Sequence, residues 1–138
     1  MTFSVDPLDV LLPILRGGLP GVTVFSRFPD NLPSFVPLVV VRRTGGGSEN
    51  PDLLDIPFLS VECWSAADAD TDAARKAHLL ADDVRRVLWS AWRAQTVTAA
   101  GWINRVRETA APEEVPDPIV PQLGRYQATY EIRIRKAR

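Results

Sequence analysis

The stretch Pro57–Trp92 constrains the fold most, because there a strand pattern hands over directly to the one long helical pattern in the chain. Phe58-Leu-Ser-Val-Glu-Cys-Trp64 is β-branched and aromatic, with Leu59, Val61 and Cys63 on one side and Ser60 and Glu62 on the other, which predicts a strand. It breaks at Ser65-Ala-Ala-Asp68-Ala-Asp70. Ser65-x-x-Asp68 predicts a capping box, with Asp70 and Asp72 adding negative charge where a helix N-terminus favours it. Ala73, Ala77, Leu80, Val84, Leu88 and Ala91 then recur at three- and four-residue steps, predicting an amphipathic helix that ends near Trp92. The small alanines of its first turns let it lie close to a sheet, and the other segments are too short to fold without such a cover.

The outer side of that helix is not wholly polar. Arg75, Asp82, Arg86 and Arg93 occupy it, but Leu79 and Trp89 also fall outside the apolar stripe. Two large apolar residues on a solvated face either tuck beneath a loop or meet another subunit. With Arg86 and Arg93 beside them, they are candidates for a subunit interface.

Around this stretch the chain alternates strand patterns with punctuated loops. Asp6-Pro7 is a helix-start signal, followed by Val10, Leu11, Ile14 and Leu15 at helical spacing and by Gly17-Gly18 as a predicted C-cap. Pro13 predicts that this helix is short or kinked. Val22–Phe25 and Leu38–Thr44 predict strands separated by a proline-rich loop. Gly45-Gly46-Gly47-Ser48-Glu49-Asn50-Pro51 predicts a long mobile connection reaching to about Asp55, either a plain surface loop or an arm that orders on a partner. Gly101–Thr109 predicts another strand. Pro112–Pro121, with Glu113, Glu114 and Val115, predicts a second long loop. In the last strand Tyr126, Ala128, Tyr130, Ile132 and Ile134 alternate with polar residues. The sum is α-β-β-β-α-β-β, an α+β domain spanning residues 1–138. Its sheet is expected to be antiparallel or mixed, of about five strands, with two main helices packed on it.

The 46% apolar content supports a real core, and the formal net charge of −1 argues against bulk attraction to nucleic acid or anionic membrane. A single cysteine, Cys63, excludes a disulfide framework and a cysteine zinc cluster; between apolar neighbours it is expected to be buried and inert. The N-terminus lacks a signal-peptide pattern, and no apolar run is long enough to span a membrane, so a soluble protein made in the cytoplasm is expected.

Chemistry is sparse. The one histidine, His78, flanks the helix stripe and is expected to be a boundary residue. The glycine run lacks the lysine and serine/threonine of a P-loop. Glu113-Glu114 and Asp68/Asp70/Asp72 are better explained by solvation and capping than by a cation. No metal, cofactor or catalytic activity is expected. Arg133, Arg135, Lys136 and Arg138 close the chain as a basic surface, solvated by default or facing DNA or an acidic neighbour.

The order of parts resembles the tail terminator (tail-completion) proteins of long-tailed bacteriophages. The features that carry the likeness are Asp6-Pro7-Leu8 opening a helix, Pro37-Leu-Val-Val-Val41, the glycine-rich link to Asp55-Ile-Pro57-Phe-Leu-Ser-Val-Glu-Cys-Trp64, the alanine-rich helix, and Pro121-Gln-Leu-Gly-Arg-Tyr126-Gln-Ala-Thr-Tyr130-Glu-Ile132. The resemblance implies a virion protein assembled in the host cytoplasm: a homohexameric ring that caps the finished tail tube, ends its polymerisation and offers a surface to the head-tail connector. The two long loops become candidates for contacts with the major tail tube protein and the connector or stopper protein. Genomic DNA would pass through the lumen without sequence-specific contact, and no membrane partner is implied. Another neck protein, such as a head-tail stopper or adaptor, is the runner-up; a cellular ligand-binding α/β module and an enzyme are the remaining alternatives.

Overall fold

The computed structural model describes residues 3–138. Helix α1 (Pro7–Gly18) leads into β1 (Thr23–Phe25), a 3₁₀ turn at Leu32–Phe35, and the hairpin of β2 (Leu38–Gly47) and β3 (Leu54–Ala66). Helix α2 (Ala73–Ala94) follows, then a second hairpin of β4 (Gly101–Glu114) and β5 (Leu123–Lys136). One five-stranded sheet runs in the order β1-β2-β3-β5-β4. The β1–β2 pair is parallel and the rest are antiparallel, so the sheet is mixed, and both helices lie on one face of it.

The apolar side chains alternate as the strands require. Val39 and Val41, Leu59, Val61 and Cys63, and Ala128, Tyr130, Ile132 and Ile134 point toward the helices and join Val10, Leu11, Leu15, Val84 and Leu88 in the main core. Helix α2 buries Ala77, Leu80, Ala81, Val84, Val87, Leu88 and Ala91. Ala73, expected in the stripe, is only partly covered, because it sits at the very first helical position.

Four local expectations are corrected. Ser65-x-x-Asp68 is no capping box: β3 runs on through Ala66, and Asp72 caps α2 by accepting from Arg75 N at 2.7 Å. Asp68 closes the turn before the helix, accepting from the N–H groups of Asp70 and Thr71. The backbone N–H of Asp70 foremost, then the Lys76 ammonium, holds its carboxyl below the usual carboxylate range. Gly17-Gly18 does not cap α1 but continues it to Gly18, with Leu19 as the cap residue. A Cβ at Gly18 would stand 2.7 Å from both Val87 methyls, so the glycine is there to bring two helices together.

The glycine run is not a loop. Gly45, Gly46 and Gly47 pair with Phe58, Pro57 and Ile56 beyond a bulge after Arg43. Gly46 has φ +98°, and a Cβ there would lie 2.2 Å from the Ile56 carbonyl oxygen. The glycines carry a twisted, bulged strand end, and the connection shrinks to residues 48–53. Likewise β4 extends through Glu114, so the second loop is residues 115–122 rather than Pro112–Pro121.

Candidate functional site

The two groups with reactive side chains singled out on sequence, Cys63 and His78, are engaged in packing. Cys63 is buried in the main core, and burial, reinforced by the neighbouring Glu62 charge, pushes its thiol far up, so no thiolate forms. His78 packs its ring edge-on to Tyr126, with centroids 5.3 Å apart, the boundary position expected of it. Among the described residues no group of His, Cys, Asp and Glu could hold a metal ion, and no helix is long and apolar enough to cross a membrane. The depressions on the surface are open to solvent. What remains is a set of surfaces.

The outer flank of α2 is the first. Leu79 is 44% exposed and borders a depression with Val36, Pro37 and Asp83. Trp89 lies on the other flank, half-buried, its ring edge-on to Tyr130 at 6.2 Å. It lines a shallow depression with Asp82, Arg85, Arg86 and Glu108. Leu79 and Trp89 therefore border the exposed strip from two sides instead of forming one apolar spot. Arg86 pairs with Asp83 at 3.2 Å and Arg93 stands exposed in the last turn. Arg85 reaches from the helix to β4 and donates to both oxygens of Glu108 at 2.7 and 2.8 Å, a bidentate clamp that raises the affinity of the guanidinium for its proton. Burial, with Glu108 adding to it, also pushes the Tyr130 phenol up.

The two hairpin tips are the second. Strand registers place them at opposite ends of the sheet. Leu54 pairs with Arg135 and Gly101 with Lys136 at one end; Ala66 pairs with Leu123 and Glu114 with Tyr126 at the other. Along β3 the ends are about 40 Å apart at the usual rise per residue. The first tip, with exposed Glu49, Asn50 and Leu53, is tied internally: Asn50 O accepts from Leu53 N and Leu54 N, and Ser48 Oγ bonds Leu54 O. The second tip carries exposed Glu113 and Glu114, half-buried Val115 bonded to Arg125 O, and Ile119 at 87% exposure.

The open face of the sheet is the third. A small second core of Leu38, Val40, Trp64 and Leu123 sits at its Ala66 end, flanked by Phe25, Leu32, Val36 and Val120. Beside it Glu62, 1% exposed, accepts from the Arg125 guanidinium and stands 3.9 Å from Arg42. The same two arginines stack over aromatic rings, Arg125 on Trp64 at 5.1 Å and Arg42 on Phe28 at 4.8 Å. Toward the other end the face becomes basic. Arg105 stands directly opposite Arg133, Trp102 opposite Arg135, and Arg107 opposite Glu131, which it pairs at 3.7 Å. Lys136, grouped with Arg133 and Arg135 on sequence, shares instead the parity of Ile134 and reaches back to the Phe3 carbonyl at 3.2 Å. Arg138 is exposed beyond the strand.

The family described as phage tail termination protein matches residues 4–138. The chain belongs to that family. A comparison with curated proteins finds no match. The tail termination match covers all but the first of the described residues and bears out the family that the sequence resembles.

Within this tail termination fold, sequence reasoning missed Arg42, Arg85, Arg105, Arg107, Glu108 and Arg125 as surface or bridging groups. Each gains its role from a partner far along the chain: Arg125 and Glu62 are 63 residues apart, Arg85 and Glu108 are 23 apart. The signal that could have found part of it is the polar half of the β5 alternation, where Arg125, Glu131, Arg133 and Arg135 must share one face.

Proposed function

We propose that this chain forms the ring that caps the finished tail tube, stops its growth and offers the head-side neck proteins a docking surface. The observation that carries the reading is the family match over residues 4–138. The geometry supports it, because a ring seated between tube and neck needs two faces pointing in opposite directions. The Ser48–Leu53 tip and the Val115–Gln122 tip stand at opposite ends of one rigid sheet. One tip meets the tail tube protein and the other the connector or stopper, and genomic DNA passes through the lumen without sequence-specific contact.

The outer flank of α2, with Leu79, Arg86, Trp89 and Arg93, is the subunit-contact candidate on each chain. Leu79 is the cleaner probe. Trp89 rests against Tyr130, so changing it also disturbs the core, whereas Leu79 is the more exposed of the two and lies outside the main core. Negative-stain microscopy of the purified chain, with and without tail tube protein, tests the ring. A six-membered ring of the 15.3 kDa chain, alone or on tube ends, is expected, and Leu79→Asp is expected to abolish it with the monomer still folded. A chain that stays single while tubes grow uncapped beside it rejects the reading.

A further inference from the structure

We propose that the basic half of the open sheet face, centred on Arg105, Arg133 and Arg135, receives the acidic end of β4, Glu113 and Glu114, of a second copy of this chain, leaving the Val115–Gln122 tip to the axial partner. The proposal rests on the ring reading above and specifies one of its subunit contacts. It starts from a local cost. Arg105 and Arg133 are direct cross-strand partners, and like charges so placed repel. Arg107 is answered by Glu131, and Arg42 and Arg125 by Glu62. Among the described residues neither Arg105, Arg133 nor Arg135 has an ion-pair partner, so the face keeps a positive excess.

The chain itself carries the complement. Glu113 and Glu114 are exposed at the end of β4, and neither is ion-paired among the described residues, whereas Asp117 in the loop accepts from Ile119 N at 2.8 Å. Within one chain the two clusters cannot meet. Glu113 pairs with Gln127, and Arg133 lies six positions further along β5, about 20 Å of strand. That is more than twice the screening length of about 8 Å at physiological salt. Of the other acids, Asp72 caps α2, Asp68 binds its own turn and Lys76, and Asp55 pairs with Arg43; Asp9, Asp30, Glu49, Asp52 and Asp70 have no ion-pair partner among the described residues, but none of them has a second acid beside it in the chain as Glu113 and Glu114 have. Nor is the α2 flank a complement, since its Asp82 and Asp83 are answered by Arg85 and Arg86 and it bears Arg75 and Arg93 besides. Two different, oppositely charged surfaces on one chain define a head-to-tail contact, the type that builds a ring where its rotation closes.

Two double variants of the full chain test this: Arg105→Glu with Arg133→Glu, and Glu113→Lys with Glu114→Lys. Each alone is expected to associate at least about tenfold more weakly than the wild type in sedimentation velocity, since reversal places like charges across the contact. An equimolar mixture is expected to restore assembly, because each variant then meets a neighbour of opposite sign. Circular dichroism establishes that both remain folded. Rings formed by either variant alone as readily as by the wild type, or a mixture that fails while the wild type assembles, overturn this contact and leave the ring reading intact. A wild-type chain that never associates, either alone or with tail tube protein, overturns both.

Discussion

The two faces of the sheet solve the problem of burial in different ways. The covered face is dry and apolar: Leu59, Ile103, Tyr130 and Ile134 have no measurable exposure, and two helices close over them. The open face has no helix, yet it also hides groups from water, and it does so with charge. Glu62 is as inaccessible as a core leucine, but it is screened by two arginine side chains lying across it and over neighbouring aromatic rings. The covered face derives stability from area. The open face spends part of its side chains neutralising each other and leaves the remainder unneutralised. A fold whose only task was to stay folded would have little use for the second arrangement.

If the covered face depends on packing, its largest buried side chain should be the costliest to truncate. Tyr130 is that residue, set between α2 and the sheet, with Trp89 edge-on to it. Tyr130→Ala is expected to destabilise the fold by about 4 kcal/mol, the usual cost of an aromatic-to-alanine change in a core. Denaturant titration reads it directly, and a loss of no more than about 1 kcal/mol would mean that the α2–sheet seam is far looser than described.

On the open face the test must separate burial from charge. Glu62→Ala leaves the Arg125 guanidinium mostly buried with no acceptor, and a cost of about 3 kcal/mol is expected, the low end for breaking such a pair because Arg42 is half-exposed and can turn to water. The double change Glu62→Leu with Arg125→Met removes both charges and fills the same space. It should recover most of the loss, since an apolar pair of similar volume avoids desolvating two ions. If the double variant is as unstable as the single one, the network contributes through something other than mutual neutralisation.

The contrast between the faces also explains what could be read from the sequence. The covered face was legible because apolar alternation and helical spacing are local: β5, the core of α2 and the inner side of β3 all follow from periods of two and of three to four residues. Glycine and cap signals were legible as punctuation but not in their place. Gly45–Gly47 marks a bulged strand end because Gly46 must pass the Ile56 carbonyl, and Gly18 marks a helix crossing because Val87 lies opposite; both partners belong to other elements. Ser65 and Asp68 have the spacing of a capping box, but β3 keeps its ladder with β5 as far as Ala66, and that pairing outcompetes an earlier helix start. The open face was least legible. Alternation showed that Arg125, Arg133 and Arg135 share a side. Only strand register could show that Arg105 faces Arg133 while Glu62 takes Arg125.

The smallest effect expected is also the one that bears most closely on why the open face differs. Arg133→Glu removes a like-charge pair and sets a carboxylate opposite Arg105, directly across the β4–β5 ladder. An opposite-charge cross-strand pair contributes a few tenths to about 1 kcal/mol, so the folded monomer should gain about 0.5 kcal/mol at low salt, a rise in Tm of about 2 °C. In 0.5 M salt the gain should shrink toward zero, because both side chains are reached by solvent and screened. The same substitution lowers the positive excess of the patch and should weaken self-association. Opposite signs in the two measurements are what a surface kept for a partner at a cost to the monomer requires. A variant that is both less stable at low salt and unchanged in assembly would mean that Arg133 is held by contacts within its own chain, and that the basic half of the sheet is no more than a solvated face.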